Sequence, residues 1–177
     1  CQMSNTNIIL SKEQEEAVEL GSDMTIRIAC VTGQAGTGKT TILKKIYENL
    51  YDQLSETKGI SEAGDPQFSI ALAAPTGRAA KRIQEATGLR ASTIHRMLRF
   101  TVPADEDDFG LPAYSKMNPM PHDVILIDEA SMIAEDLRRA LIDAMKRGSI
   151  IRFFGDINQL PPIGTYDSTG QKNPNFS

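Results

Sequence analysis

With 177 residues, 40% of them hydrophobic and 24% charged, the chain is long enough for one sizeable domain and too apolar to be disordered throughout. No apolar run approaches the roughly 20 residues of a membrane-spanning helix, and Cys1 to Asn7 is too polar for a secretory leader, so a cytoplasmic protein with no membrane partner is expected. The net charge of −4 weighs against coating nucleic acid by global charge, and Cys1 and Cys30 form no C-x-x-C pair that would indicate a disulfide framework or a zinc site.

In chain order, Ser11-Lys12-Glu13-Gln14 has the S-x-x-Q form of a capping box opening a helix through Ala17, Val18 and Leu20. Thr25 to Val31 predicts a strand, with Cys30 inside it as a small apolar residue. Gly33-Gln34-Ala35-Gly36-Thr37-Gly38-Lys39-Thr40 then matches G-x-x-x-x-G-K-[ST], and Thr41 to Leu50 continues as a helix. Phe68 to Ala74, Val124 to Ile127 and Ile150 to Phe154 predict further strands, separated by helices from Arg78 and from Ala134. The helix from Ala134 spaces Leu137, Leu141 and Met145 to cover one face of the sheet. This βαβ rhythm predicts an α/β fold, a parallel sheet flanked by helices with nucleotide at the carboxyl ends of the strands. Thr101 to Pro121, with prolines at 103, 112, 119 and 121 and acids from Asp105 to Asp108, breaks the rhythm and predicts an insertion outside the core. Gly164 to Ser177 is polar and without period, and predicts an unpacked tail or the start of a further domain.

The glycine-rich motif has a chemical reason. Glycines let backbone N–H groups turn inward onto phosphates, and the following helix adds its N-terminal dipole. Lys39 then reaches the β and γ phosphates, and Thr40 offers a hydroxyl to Mg²⁺. Asp128 and Glu129 end an apolar strand, which suits one acid for the metal shell and one for deprotonating an attacking water. The alternative is a strand end whose acids merely start a helix capped by Ser131. Gln159, followed by Leu160, Pro161 and Pro162, fits a rigid loop that reads the γ-phosphate, or else a proline-terminated turn. Arg78, Lys81, Arg82, Arg90, Arg96 and Arg99 form a local basic track that fits either nucleic acid or a solvated face.

Together with Ala74-Pro75-Thr76-Gly77-Arg78-Ala79-Ala80-Lys81-Arg82 and Ser92-Thr93-Ile94-His95, these motifs resemble the ordered set of superfamily 1 DNA helicases, nearest the RecD-like and phage Dda-like enzymes that move 5′ to 3′. The resemblance runs from about Leu10 to Gly164 and implies a RecA-like motor domain over residues 1–164, with 165–177 as tail or next domain. It implies that Gln14 reads adenine, that Gly33, Gln34, Ala35, Gly36, Thr37, Gly38, Lys39, Thr40 and Thr41 hold ATP, and that Thr40 and Asp128 hold Mg²⁺. Lys39, Glu129 and Gln159 are the implied catalytic set. Pro75, Thr76, Arg78, Lys81, Thr93 and His95 are the implied contacts to single-stranded DNA.

The resemblance also implies a duplex-splitting pin at 101–121, although the prolines and clustered acids there depart from a hairpin. It implies a second RecA-like domain supplying arginines, for which 164–177 has no room, so the expectation is a domain that binds Mg-ATP but turns it over slowly alone. Replication or repair proteins are expected as further, unidentified partners, in a bacterial cell or a phage-infected host. A nucleotide-dependent DNA-binding module without motor activity is the competing reading; a P-loop kinase is weaker, because no lid or acceptor-binding signature is present.

Overall fold

The computed structural model describes residues 10–33, 38–100 and 110–156. Five strands, β1 (Ile28–Gly33), β2 (Ile70–Ala74), β3 (Ser92–Thr93), β4 (Val124–Ile127) and β5 (Ile150–Asp156), form a sheet in the order β1-β5-β4-β2-β3. Every pairing is parallel. Helices α1 (Lys12–Gly21), α2 (Lys39–Thr57), α3 (Gly77–Thr87) and α5 (Glu135–Asp143) follow the expected alternation, whereas β3 and the short α4 (Ile94–Met97) were not expected from the sequence.

The period-2 geometry of a strand divides the core between the two faces of this sheet. Val31, Leu72, Val124, Leu126 and Phe154 pack with Ile42, Leu43, Ile46 and Leu50 of α2 and Ile83 of α3. Their neighbours Ile125, Ile127, Ile151 and Phe153 pack the other way, with Ile94 and Met97 of α4 and Leu141 of α5. All four residues of β4 are buried, as a strand covered on both faces requires. The acids that follow β4 are therefore held at the end of a strand buried on both faces.

Arg152 lies on the α2 face of β5 and is fully buried. Its Nε donates to the Gly21 carbonyl at 2.8 Å and its Nη2 to the Asp23 carbonyl at 2.6 Å, so the guanidinium satisfies carbonyls at the C-terminal end of α1. Burial pulls its pKa down to about 10, with the Asp23 charge opposing, and it stays cationic near neutrality. Gly21 is fixed by a different constraint, since a Cβ there would collide with Ile46 of α2.

At the opposite end of the sheet from the acids, Asp123 is 6% exposed. It accepts from Lys58 Nζ at 2.6 Å and from the Ser69 N–H at 2.8 Å, and pairs with Lys146 Nζ at 2.9 Å. One carboxylate thus joins the end of α2, the approach to β2 and the segment after α5.

Several boundaries differ from the sequence expectation. The first strand begins at Ile28, not Thr25, because the Thr25 N–H and hydroxyl both donate to the Asp23 carboxylate in a side-chain turn. Ser131 lies in a 3-10 helix, Ala130–Met132, and the N-cap of α5 is Ala134. Cys30 is half-buried, and desolvation raises its thiol to about 11, which leaves it inert.

The insertion was expected outside the core, yet Met120 is fully buried against the α5 side and its N–H donates to the Ala144 carbonyl at 2.8 Å. Residues 101–109 lie outside the described residues. Between 110 and 121 the described residues form only isolated bridges, Phe100 with Pro112 and Ser115 with Asn118, and no pin-like pair of strands. Pro112, Pro119 and Pro121 bring no backbone donor to such a pair.

Candidate nucleotide and nucleic-acid site

β1 ends at Gly33, and α2 begins at Lys39 with Gly38 as its N-cap in the left-handed region, φ 67°. Gly38 is required twice: a side chain would be strained at that φ, and a Cβ would overlap Nε2 of Gln14. Gln14 has two roles here. Its Oε1 accepts from the Ser11 N–H at 2.9 Å, closing the capping box of α1, while Nε2 lies against the start of α2. Gln34, Ala35, Gly36 and Thr37 fall outside the described residues, as does Gln159. Thr40 is exposed and Thr41 half-buried on the first turn of α2, where unpaired backbone N–H groups and the helix dipole favour an anion.

Lys39 meets both acids that follow β4. Its Nζ is 2.9 Å from Asp128 Oδ1 and 3.9 Å from Glu129 Oε1. Adjacent residues of a strand face opposite ways, so this convergence needs a backbone device. Glu129 supplies it by adopting φ 54°, ψ 41°, a left-handed conformation that is costly for a residue with a Cβ. The Asp128 N–H stays tied to the sheet through the Ala73 carbonyl at 2.9 Å, so the turn falls on Glu129 alone.

Asp128 Oδ1 is buried and takes no well-aligned hydrogen bond, its near neighbour being the Lys39 ammonium. With the Thr40 hydroxyl it makes an oxygen-only donor set of the kind a hard dication takes alongside phosphate oxygens. Among the described residues no cluster of three or more His, Cys, Asp or Glu could hold a metal by itself. The residues therefore fit a metal held jointly with a ligand, which is how Mg²⁺ is usually bound.

These groups open into a cleft of about 490 Å³ between α2 and α3, lined by Gly38, Lys39, Thr40, Asp128 and Glu129 on one side and by Ala79, Arg82, Ile83 and Ala86 on the other. Arg82 belongs to the basic track that fits either nucleic acid or a solvated face by sequence; in the structure it lines this cleft. The spacing was the available signal, because Arg82 lies three and four residues from the buried Ala79 and from Ala86.

The implied DNA contacts fall on the carboxyl edge of β2 and β3. Pro75 and Thr76 follow β2, and Thr76 Oγ1 caps α3 by accepting from the Ala79 N–H at 3.1 Å. Thr93 does the same for α4, accepting from the Arg96 N–H at 3.1 Å. Each hydroxyl keeps its hydrogen to donate elsewhere. Arg78, Lys81 and His95 are exposed, and the His95 ring meets Phe100 edge-on with centroids 4.7 Å apart.

The chain matches the AAA domain family over residues 14–165. It is 33% identical over 150 residues to the ATP-dependent RecD2 DNA helicase of Deinococcus radiodurans, which covers 85% of this chain and 18% of that protein. It is 31% identical over 147 residues to the ATP-dependent DNA helicase dda of Enterobacteria phage T4, covering 83% of this chain and 31% of the relative. The unliganded Pif1 from Bacteroides sp has the same fold, with TM-score 0.53 and 26% identity over 88% of this chain and 33% of that one. The chain thus spans less than a third of the length of either curated relative. A parallel sheet with its phosphate-loop and acid strands separated by β5, carrying this motif order, belongs to the AAA domain family and, within it, to the RecD-like and Dda-like motor domains of superfamily 1 helicases.

Proposed function

We propose that this domain binds and hydrolyses ATP with Mg²⁺ as the first motor domain of a 5′ to 3′ DNA helicase. The observation that carries the proposal is the Lys39 ammonium bracketed by Asp128 and Glu129 at the carboxyl edge of the sheet. In this reading Lys39 binds the β and γ phosphates, Thr40 and Asp128 hold the metal, and the Glu129 carboxylate takes the proton of the attacking water. Bound Mg²⁺ would neutralise charge on the phosphate oxygens. Gln14 meets the adenine, with Gly33 to Thr41 around the phosphates. Gln159 follows β5, the strand between β1 and β4, and would report the γ-phosphate.

A module that only binds nucleotide has no use for a glutamate held in a left-handed turn, which favours the hydrolytic reading. Arginines from a second RecA-like domain would complete the site; such groups are worth about 10³ to 10⁵ in rate. Single-stranded DNA would run over Pro75, Thr76, Arg78, Lys81, Thr93 and His95. The bacterial and phage sources of the relatives support a place in the cytoplasm of a bacterium or an infected host.

The test is Mg-ATP binding and hydrolysis with and without single-stranded DNA. The chain is expected to bind and hydrolyse Mg-ATP, and Lys39→Ala to lose binding by at least about 10-fold, the scale of a lost charge-assisted phosphate contact. Equal binding by Lys39→Ala would overturn the nucleotide site.

Thr93 gives a separate check on the strand contact. Thr93→Ala should weaken single-stranded DNA binding about 10-fold, the worth of a hydrogen bond to a charged phosphate, and leave nucleotide affinity unchanged. Thr93→Ser retains both cap and hydroxyl and should bind like the parent. Equal loss of DNA and nucleotide affinity in Thr93→Ala would show a folding defect instead of a lost contact.

A further inference from the structure

We infer that Arg82 contacts the terminal phosphate of the bound nucleotide from within this domain, so that α3 carries a nucleotide-sensing residue as well as strand-contacting ones. The inference rests on the ATP-binding reading above and deepens it. Arg82 shares one side of α3 with Ala79, Ile83 and Ala86, and that side lines the cleft opposite Lys39, Thr40, Asp128 and Glu129. Ala79 and Ile83 are buried while Arg82 is exposed and lines the cleft beside them, the setting in which an arginine stem covers apolar surface and its charged head stays in water.

The charge arrangement selects the ligand. Of the two cations lining the cleft, Lys39 is already matched by two carboxylates, whereas among the described residues the Arg82 guanidinium has neither an ion pair nor a hydrogen bond. A guanidinium so placed offers a fork of donors to an anion with several oxygens, and a phosphoryl group is the best match. Position selects which phosphate. The cleft opens beside the residues that would hold the metal and the attacking water, while Gln14 lies against Gly38 and is not among the residues that line it. Arg82 therefore faces the terminal phosphate rather than the base.

The arrangement also gives α3 two occupants. Thr76 caps its start at the proposed DNA edge and Arg82 lies within the next two turns.

The experiment compares the affinities of a non-hydrolysable ATP analogue, ADP and a single-stranded oligonucleotide for the parent chain, Arg82→Ala, Arg82→Gln, Arg82→Lys and Lys39→Ala. Arg82→Ala and Arg82→Gln should bind the ATP analogue about 10-fold more weakly while ADP affinity changes less than about 2-fold, the signature of one lost charge-assisted contact. Arg82→Lys should restore part of that loss. An unchanged ratio of ATP-analogue to ADP affinity in both Arg82→Ala and Arg82→Gln overturns the inference. So does a loss confined to oligonucleotide binding, which would return Arg82 to the DNA surface. If the parent chain binds neither nucleotide, or Lys39→Ala binds both normally, the nucleotide reading itself fails, an outcome distinct from failure of Arg82 alone.

Discussion

Glu129→Gln is expected to bind Mg-ATP with parental affinity and to hydrolyse it about 10² to 10⁴ times more slowly, the usual contribution of a positioned general base. Glutamine preserves size and keeps the backbone turn but cannot accept the proton of the attacking water. Single-turnover measurement with enzyme in excess is the right readout, because product release would otherwise mask the chemical step. The backbone supplies a second arm. Glu129 sits at φ 54°, ψ 41°, a region in which Asn is far less strained than Glu. Glu129→Asn should therefore be at least as stable as the parent to urea while being equally impaired in hydrolysis. A more stable but inactive variant is the mark of strain retained for chemistry. If Glu129→Gln hydrolyses ATP within about threefold of the parent, which is far less than a general base contributes, the base lies elsewhere.

That turn marks the limit of what the sequence could reveal. The phosphate loop, the two acids and their strand are legible because each depends on residue type and local order, and Val124–Ile127 appears as an unbroken apolar run bounded by acids. That both acids approach one lysine is not legible, since period 2 alone sends neighbours to opposite faces and only the left-handed turn at Glu129 reverses this. Arg82 is a related case. Its charge put it in the basic track, while its direction depends on how α3 packs beside α2, a tertiary fact. Met120 was hidden among prolines and turn residues, a composition that says loop without saying what the loop covers. Arg152 lies inside the strand expected from Ile150 to Phe154, and its partners are carbonyls of a helix end far back in the chain. In each case the missing information is a long-range contact, which residue type and spacing do not encode.

Asp123 was equally silent in the sequence, and removing it should produce a large loss of stability. Asp123→Ala leaves the Ser69 N–H without its acceptor and separates Lys58 and Lys146 from their shared partner. Breaking a buried ion pair by deleting one partner costs about 3–5 kcal/mol, and because both lysines keep substantial access to water the lower end, about 3 kcal/mol, is expected here. Asp123→Asn keeps an oxygen for Ser69 and should lose roughly half as much. Urea unfolding with an unchanged slope would read both values.

The pH dependence has a definite sign. Burial pushes the Asp123 pKa up, but hydrogen bonds from Lys58, Lys146 and the Ser69 N–H outweigh it, and the net shift is downward from 3.8. The unfolded state therefore binds the proton more readily, so the contribution of Asp123 is full above the ordinary carboxylate range and disappears as pH falls through its lower folded value. His122 adds a second window of the same sign. Burial, then Lys146, lowers its pKa from 6.5, so the unfolded chain takes up that proton first and stability declines as pH drops below about 6.5. Asp123→Asn should flatten the profile below about pH 4, the ordinary carboxylate range, and leave a decline beginning near neutrality. A variant with parental stability and an unchanged acid limb would show that the lysines find equivalent partners in water, and that the sheet is not held at this end by its buried carboxylate.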